Sequence, residues 1–536
     1  MGSLPKESKT AGADIFIAGS GPVGCTFART ILDRAEAAGK RIHIYMADVG
    51  SIDGRLIGGH LKNDLRYQID SDLFSHVIDA ALQKVSVAGK ENRYSPYYNP
   101  NQKEALNVPD CAMTRTIGGM GTHWTCACPR PEPGERTESP LSKGEFDSLL
   151  KKAEDLLQVR DDQYDDQIRH IKVKKHLEES YDFKGRIRDL PLAVKRDENH
   201  CVTFGGPNTI LGKWAEPANC CTDPDCKKNC LFSLRAEHKV IKLKCRRMSN
   251  FSYANEAVLL NLRNNELVTV VFNACVIALG AIGTPQLLLS SDGIEADTIP
   301  SLGRHLSEQS LWTCQVYLND KIRKEIGDEK PFPNSEPQVN VKYTNDRPWN
   351  GMVNRDAYIY GGRHPNPNYD PKFIVDLRFY GKHKIDKNNR VTFDKSDLDI
   401  YGLPRATFEV TRKEDDHEMV EDMKRAASVL GEIIDPSEPK QQPYGAALHV
   451  TVGISLHYHR SPIFINSMFL QGTTRIGRGG KDCEQHSVAD ENSLVHNWTN
   501  LYVGGNGVIP DATACNPTLT SVAYAIKSAE FIARTH

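Results

Sequence analysis

The sequence predicts an α/β fold: a discontinuous Rossmann-type nucleotide-binding domain with a second, α+β lobe on a mixed β-sheet inserted into it. Three observations predict this. A strand, a glycine turn, a helix, a second strand and an acid follow one another within the first 48 residues. Another strand, small-residue turn and helix lie around residue 280. A third strand–glycine segment and a closing helix occupy 500–536. Start, middle and end of the chain therefore read as parts of one domain.

Taken in order, residues 1–12 are small and polar and read as disordered. Asp14 to Ala18 is a short β-branched apolar run, a buried strand. A helical pattern covers Cys25 to Ala38, and Ile42 to Met46 is the next strand. Residues 60–105 form a polar, partly helical excursion, and 141–182 are charged and largely helical. Several strands fill 232–275, before Val276 to Gly280 and a helix from Pro285 to Ser290. Strands and Pro/Asn/Gly loops alternate over 311–400, and 415–434 reads as one amphipathic helix. No internal repeat or low-complexity stretch is evident.

Composition excludes some function classes. Of 536 residues, 67 are basic and 69 acidic, so the net charge is −2. That balance argues against a nucleic-acid partner and a polybasic membrane contact. No apolar run reaches the roughly 18 residues of a membrane span. The first residues lack an apolar signal core, so a cytoplasmic location is expected. The 14 Cys are mostly scattered and read as free thiols. Cys220, Cys221, Cys226 and Cys230 form the one dense cluster, without paired zinc spacing. Asp161, Asp162, Asp165 and Asp166 read as a solvated acidic face, and no metal is expected.

Four motifs carry chemistry. The first is Gly19-Ser20-Gly21-Pro22-Val23-Gly24. Gly19 allows the tight turn, Gly21 lets backbone approach a pyrophosphate, and Gly24 lets helix and strand pack closely. The helix N-terminus then faces the phosphates, and Asp48 stands where an acid holds ribose hydroxyls. The motif alone does not separate FAD from NAD. The second is Met113-Thr114-Arg115 with Gly118-Gly119-Met120-Gly121-Thr122-His123-Trp124-Thr125-Cys126. His123 there is a base, a covalent anchor or a loop histidine satisfied by backbone. The third, Ala278 to Leu288 with Gly280 at its turn, suits a second close approach to a dinucleotide. The fourth runs from Asn500 through Asn506 to Asn516-Pro517-Thr518. Asn516 reads as N-cap and Pro517 as first residue of the last helix, whose positive end would face a cofactor.

In this order, the motifs resemble the glucose–methanol–choline (GMC) oxidoreductases, and among them the pyranose oxidases, over about residues 13–533. The loop at 118–126 is the most specific element; Gly121 stands where the family has Ser. The resemblance implies FAD, held covalently through His123, with Thr125 near the flavin and Thr122, Trp124, Gly280, Asn506, Pro517 and Thr518 around it. It also implies a sugar site formed by Asp356, Tyr358 and Tyr360 in one loop and Arg378 in a neighbouring strand. Gly206-Pro207-Asn208-Thr209 resembles a further family segment. The catalytic pair would be Asn516 and a His in a Leu-His strand before a Gly-Thr turn. Leu448-His449 fits that strand and Gly472-Thr473 that turn, but about 20 extra residues, 451–471, separate them. Three readings remain: His449 is the base and the segment loops out; His457 or His459 takes the role; or the site lacks a base. The segment's composition is unlike a polar surface insertion, and it reads as an unusual addition.

The implied activity is oxidation of a pyranose hydroxyl (C2 or C3) to a ketone, with electrons passing to O2 or a quinone. Two other readings stand beside it. One is a GMC enzyme of fungal secondary metabolism acting on a sugar or polyol, as in a kojic-acid-type pathway. The other is a flavin-binding protein with impaired catalysis. The expected division is 12–60, 110–140, 200–310 and 470–536 for the FAD domain and 311–445 for the substrate lobe. The resemblance implies a homotetramer, with 60–105 as the oligomerisation arm.

Overall fold

The computed structural model describes residues 6–52, 56–109, 111–199, 201–223, 230–295, 297–328, 337–354, 369–411, 414–434, 470–479 and 483–536. His449, His457, His459, Asp356, Tyr358, Tyr360 and Cys226 lie outside them. No helix among the described residues is long and apolar enough to cross a membrane.

Strand β1 (Lys6–Ala18) leads into helix α1 (Pro22–Ala37) and strand β2 (Ile44–Ala47). Ile15, Phe16 and Ile17 are fully buried, as a central parallel strand requires. β1 pairs in parallel with β2 on one side and with β3 (Glu266–Ile277) on the other. Beyond β2 lie Phe232–Arg235 and Cys220–Cys221, both parallel. The first half of β3 pairs antiparallel with Ser252–Asn261, which pairs with His238–Arg247. The last residues of β3 pair in parallel with β4 (Leu501–Val503). The result is one mixed eight-stranded sheet built from the start, middle and end of the chain. Helix α2 (Gly280–Ser290) follows β3, and helix α3 (Thr518–Thr535) closes the chain against α1 and Lys143–Leu157.

A second sheet has six strands in the order Gly431–Ile434, Ser310–Leu318, Ile374–Gly381, Trp349–Asn354, Val339–Val341, Ile187–Asp189. These pair antiparallel throughout, which corrects the expectation of a mixed sheet in the second lobe; among the described residues, mixed pairing belongs to the first sheet. Trp349, Phe379, Val375 and Leu377 bury its inner face.

Three local expectations are corrected. The first strand begins at Lys6, because the long neighbour Glu266–Ile277 supplies hydrogen-bond partners along its length; polar residues 6–12 are therefore strand. The segment 415–434 is not one helix: the helix is Glu414–Ala427, and Gly431–Ile434 is a strand. A Cβ at Gly431 would lie 2.2 Å from Tyr317 O, so this close strand contact needs glycine. Finally, α2 starts at Gly280, with Pro285 inside it. Proline cannot donate to the carbonyl four residues back. That carbonyl, Ala281 O, accepts instead from Thr473 Oγ1 at 2.6 Å.

Candidate active site

The turn after β1 is set by two glycines. Gly19 has φ +97°, and a Cβ there would lie 2.6 Å from Ala278 O. At Gly24 a Cβ would lie 2.0 Å from Gly19 O, so α1 packs directly on its own turn. Asp48, at the end of β2, accepts from Ser20 N at 2.8 Å, Ser20 Oγ at 2.6 Å and Gly50 N at 2.8 Å. Burial pushes its carboxyl up, and these hydrogen bonds oppose the shift. Ser20 Oγ in turn accepts from Gly118 N at 2.9 Å, tying the first glycine loop to the second.

The second loop is pinned at several points. Thr122 Oγ1 donates to Gly119 O, Trp124 Nε1 donates to Gly205 O at 2.7 Å, and His60 Nε2 bonds Trp124 O at 2.9 Å. His60 Nδ1 accepts from Lys62 N, so Nε2 carries the proton. His123 is buried, bonded through Nε2 to Thr114 Oγ1 at 2.9 Å, and pushed down to about 4 by that burial. Its imidazole is therefore neutral near pH 7. Pro22 and Pro207 press on Gly121: a Cβ there would lie 2.7 Å from Pro22 Cγ and 2.9 Å from Pro207 Cδ.

These loops open onto one cavity of about 330 Å³. Of the residues expected around a cofactor, Gly19, Gly21, Asp48, His123, Trp124, Thr125, Gly280, Asn506 and Thr518 line it. Gly24, Thr122 and Pro517 do not: Gly24 packs on Gly19, Thr122 bonds back within its own loop, and Pro517 caps the helix. Arg378 and Asn516 also line the cavity, bringing the second sheet and α3 to the glycine loops.

Asn516 corrects one expectation. The N-cap of α3 is Pro517, and no side chain caps it. Asn516 is 4 % exposed, and its Oδ1 has no hydrogen-bond partner among the described residues. Released from capping, the amide lines the cavity as a buried polar group awaiting a partner. Asn506, by contrast, accepts from Ser521 Oγ at 2.7 Å.

The residues present suit a dinucleotide. The N-cap of α1 is Gly21, with no side-chain cap and no acid in the first turn. Its N–H groups are thus available to an anion. A Cβ at Gly21 would meet nothing within 4 Å, so this backbone borders open space.

Sequence reasoning missed several residues that shape the site. Ser20 bridges both glycine loops, His60 fixes Trp124, and Tyr380 lines the cavity. Arg115, also lining it, lies over the Tyr401 ring at 3.7 Å and donates to Gln83 Oε1 at 2.9 Å. His60 and Tyr380 have no local sequence signal; Ser20 and Arg115 stand inside the first and second motifs, but the motifs assign them no role. Elsewhere, Asp165, His170 and Asp189 converge. Lys174 Nζ already sits 2.5 Å from Asp189 Oδ2, which makes this an ion-pair cluster. Cys220 and Cys221 are free thiols.

The GMC oxidoreductase family model matches residues 386–525. Pyranose 2-oxidase of Tricholoma matsutake is 39% identical, with 97% of this chain and 93% of that protein covered. C-glycoside 3-oxidase of Microbacterium trichothecenolyticum is 31% identical, with 98% and 97% covered. Among solved structures, formate oxidase of Aspergillus oryzae RIB40 superposes with a TM-score of 0.64 at 12% identity, covering 99% of both chains. At that identity the likeness concerns the fold.

Proposed function

Since the chain belongs to the glucose–methanol–choline oxidoreductases, FAD-dependent enzymes acting on CH–OH groups, we propose that it oxidises a secondary ring hydroxyl of a pyranose to a ketone. One observation carries the reading: a buried Asn516, whose Oδ1 has no hydrogen-bond partner among the described residues, shares a cavity with the His123 loop, the glycine cradle and Arg378. Bound FAD would supply the hydride acceptor and pass the electron pair to O2, giving H2O2. The relatives' names as oxidases favour O2 over a quinone, and the higher identity to the 2-oxidase favours C2 over C3.

The chain's own residues have distinct tasks in this reading. The uncapped amides of α1 hold the pyrophosphate, while Asp48, already fixing Ser20 and Gly50, keeps lone pairs for ribose hydroxyls. Neutral His123 anchors the flavin. Asn516 donates to the substrate hydroxyl oxygen and orients it. His449 takes the hydroxyl proton as hydride leaves the same carbon. Asp356, Tyr358, Tyr360 and Arg378 bind the sugar.

We assign the FAD domain to the eight-stranded sheet and its helices, and the substrate lobe to the six-stranded sheet. A homo-oligomer is proposed as well, supported by Leu65, Ile69 and Leu73, spaced four apart and exposed within 60–105.

Anaerobic mixing of the purified flavoprotein with aldopyranoses and polyols tests the activity. The oxidised flavin band should bleach with a pyranose, and the product should be a ketoaldose. Bound flavin that no sugar or polyol bleaches overturns the proposal.

A further inference from the structure

The loop that carries Asn516 is gripped from outside the cavity by groups that no motif contains. Glu135, in a short turn at Pro133–Glu135, is 1 % exposed. Its Oε1 accepts from Ala514 N at 2.7 Å and from Cys515 N at 2.9 Å. Its Oε2 accepts from Glu132 N at 2.8 Å, which locks the turn that presents it. The loop's carbonyls are held from another side. Gln309 Nε2, on a residue 2 % exposed, donates to Thr513 O and Cys515 O, both at 2.8 Å. Gln471 Nε2 donates to Thr513 Oγ1 at 3.0 Å. A reciprocal bond runs the other way, from Glu138 N to Asp511 Oδ1 at 2.7 Å.

A buried carboxylate taking three backbone N–H groups is a strong, directional clamp. It is also a costly one, because a charge held in the interior needs all those partners. An ordinary polar loop needs no such group. Here the clamp fixes the amides of the two residues immediately before Asn516, and Asn516 Oδ1 has no hydrogen-bond partner among the described residues. The aim of the carboxamide must therefore come from its backbone. We propose that Glu135 is a positioning residue for Asn516, setting the place of its carboxamide in the cavity through the 514–515 amides. This rests on the reading of Asn516 as the group that orients the substrate hydroxyl.

Two substitutions separate geometry from charge. Glu135→Gln keeps an oxygen at the same reach for Ala514 and Cys515 but removes the charge and the acceptor for Glu132 N. Glu135→Asp keeps the charge but draws the oxygens back by one methylene. The flavin-reduction rate should fall by about 10- to 100-fold in Glu135→Asp, the range expected when an orienting group moves by about 1 Å. It should stay within about 3-fold of wild type in Glu135→Gln, with sugar KM little changed in both. In an Asn516→Ala background, Glu135→Asp should cause no further loss. Amide hydrogen exchange of the peptide spanning 511–518 gives an activity-free readout: it should be faster in Glu135→Asp and near wild type in Glu135→Gln.

The proposal is overturned if Asp outperforms Gln, if the two losses add in the Asn516→Ala background, or if exchange at 511–518 is unchanged in Glu135→Asp. If Asn516→Ala alone leaves reduction unaffected, the assignment of Asn516 fails instead, and the exchange result still judges the clamp.

Discussion

Gly21 and Gly24 belong to one motif but are glycine for different reasons, and alanine at each separates the two. Gly21 has φ −64° and ψ 178°, a conformation any residue adopts, and a Cβ there meets nothing within 4 Å. Glycine is not needed for folding at this position; alanine should leave flavin-free stability unchanged or raise it by about 0.4–1 kcal/mol through the unfolded chain. Its methyl, however, would project where a pyrophosphate approaches, so flavin content should collapse. At Gly24 a Cβ would lie 2.0 Å from Gly19 O, about 1.4 Å inside ordinary contact at 3.4 Å. Both atoms involved are backbone or fixed to it, so α1 must move off the sheet. Overpacking of this kind costs about 1–3 kcal/mol, and this clash belongs at the upper end. The assay is urea unfolding of flavin-free protein, paired with the flavin-to-protein ratio of each variant as purified. Gly21→Ala should unfold like wild type yet carry little flavin, and Gly24→Ala should lose both. A Gly21→Ala protein carrying a full complement of flavin would falsify the placement of the pyrophosphate.

Two further outcomes are expected. Wild-type protein precipitated with acid should retain its flavin, whereas His123→Ala should release it to the supernatant; flavin fluorescence on a denaturing gel reads the difference, and a wild type that sheds all its flavin refutes the covalent anchor. Burial pushes Asp511 up to about 6 from 3.8, so the folded state holds this proton more tightly than the unfolded chain. Its contribution is fully present below about pH 4 and lost as pH rises through about 6, a difference of about 3 kcal/mol. Asp511→Asn should therefore raise stability at pH 8 by up to that amount and change little at pH 4; equal effects at both pH values in denaturant melts would refute the assignment.

The parts of this site that were legible in the sequence are those fixed by backbone geometry. Gly19, Gly21 and Gly24 announce a turn, an approach and a close packing, and all three are where the motif puts them. Asp48 follows β2 and lines the cavity, but its hydrogen bonds to Ser20 and Gly50 come from a loop closure that spacing does not describe. The start of α2 was misread because proline usually marks a first turn. The bond that lets Pro285 sit inside comes from Thr473, far along the chain, and no local window contains it. The strand at Lys6 was missed for a similar reason: its partner, β3, is some 260 residues away. Asn516 was found for a cap it does not make. Glu135 gave no signal, because a glutamate in a Pro-Gly turn looks like surface until the loop that it holds is seen. His449 and the loop at Asp356, Tyr358 and Tyr360 lie outside the described residues.

The order in which the sheet is assembled has a consequence for biosynthesis. β1 can pair with β2 early, but its other neighbour is β3, and β3 is completed by β4 at Leu501–Val503. Closing loops of that length makes the topology slow to form, because the entropy of bringing distant segments together precedes the contacts that reward it. Asn516 and α3 follow every strand of this sheet in chain order, so the flavin cavity has no complete wall until they are made. Enclosure of a cofactor therefore waits for segments far along the chain, and until β3 is made one edge of β1 is open to wrong pairing. Loss of even the final helix would leave a chain able to begin this sheet and unable to enclose what the sheet is for.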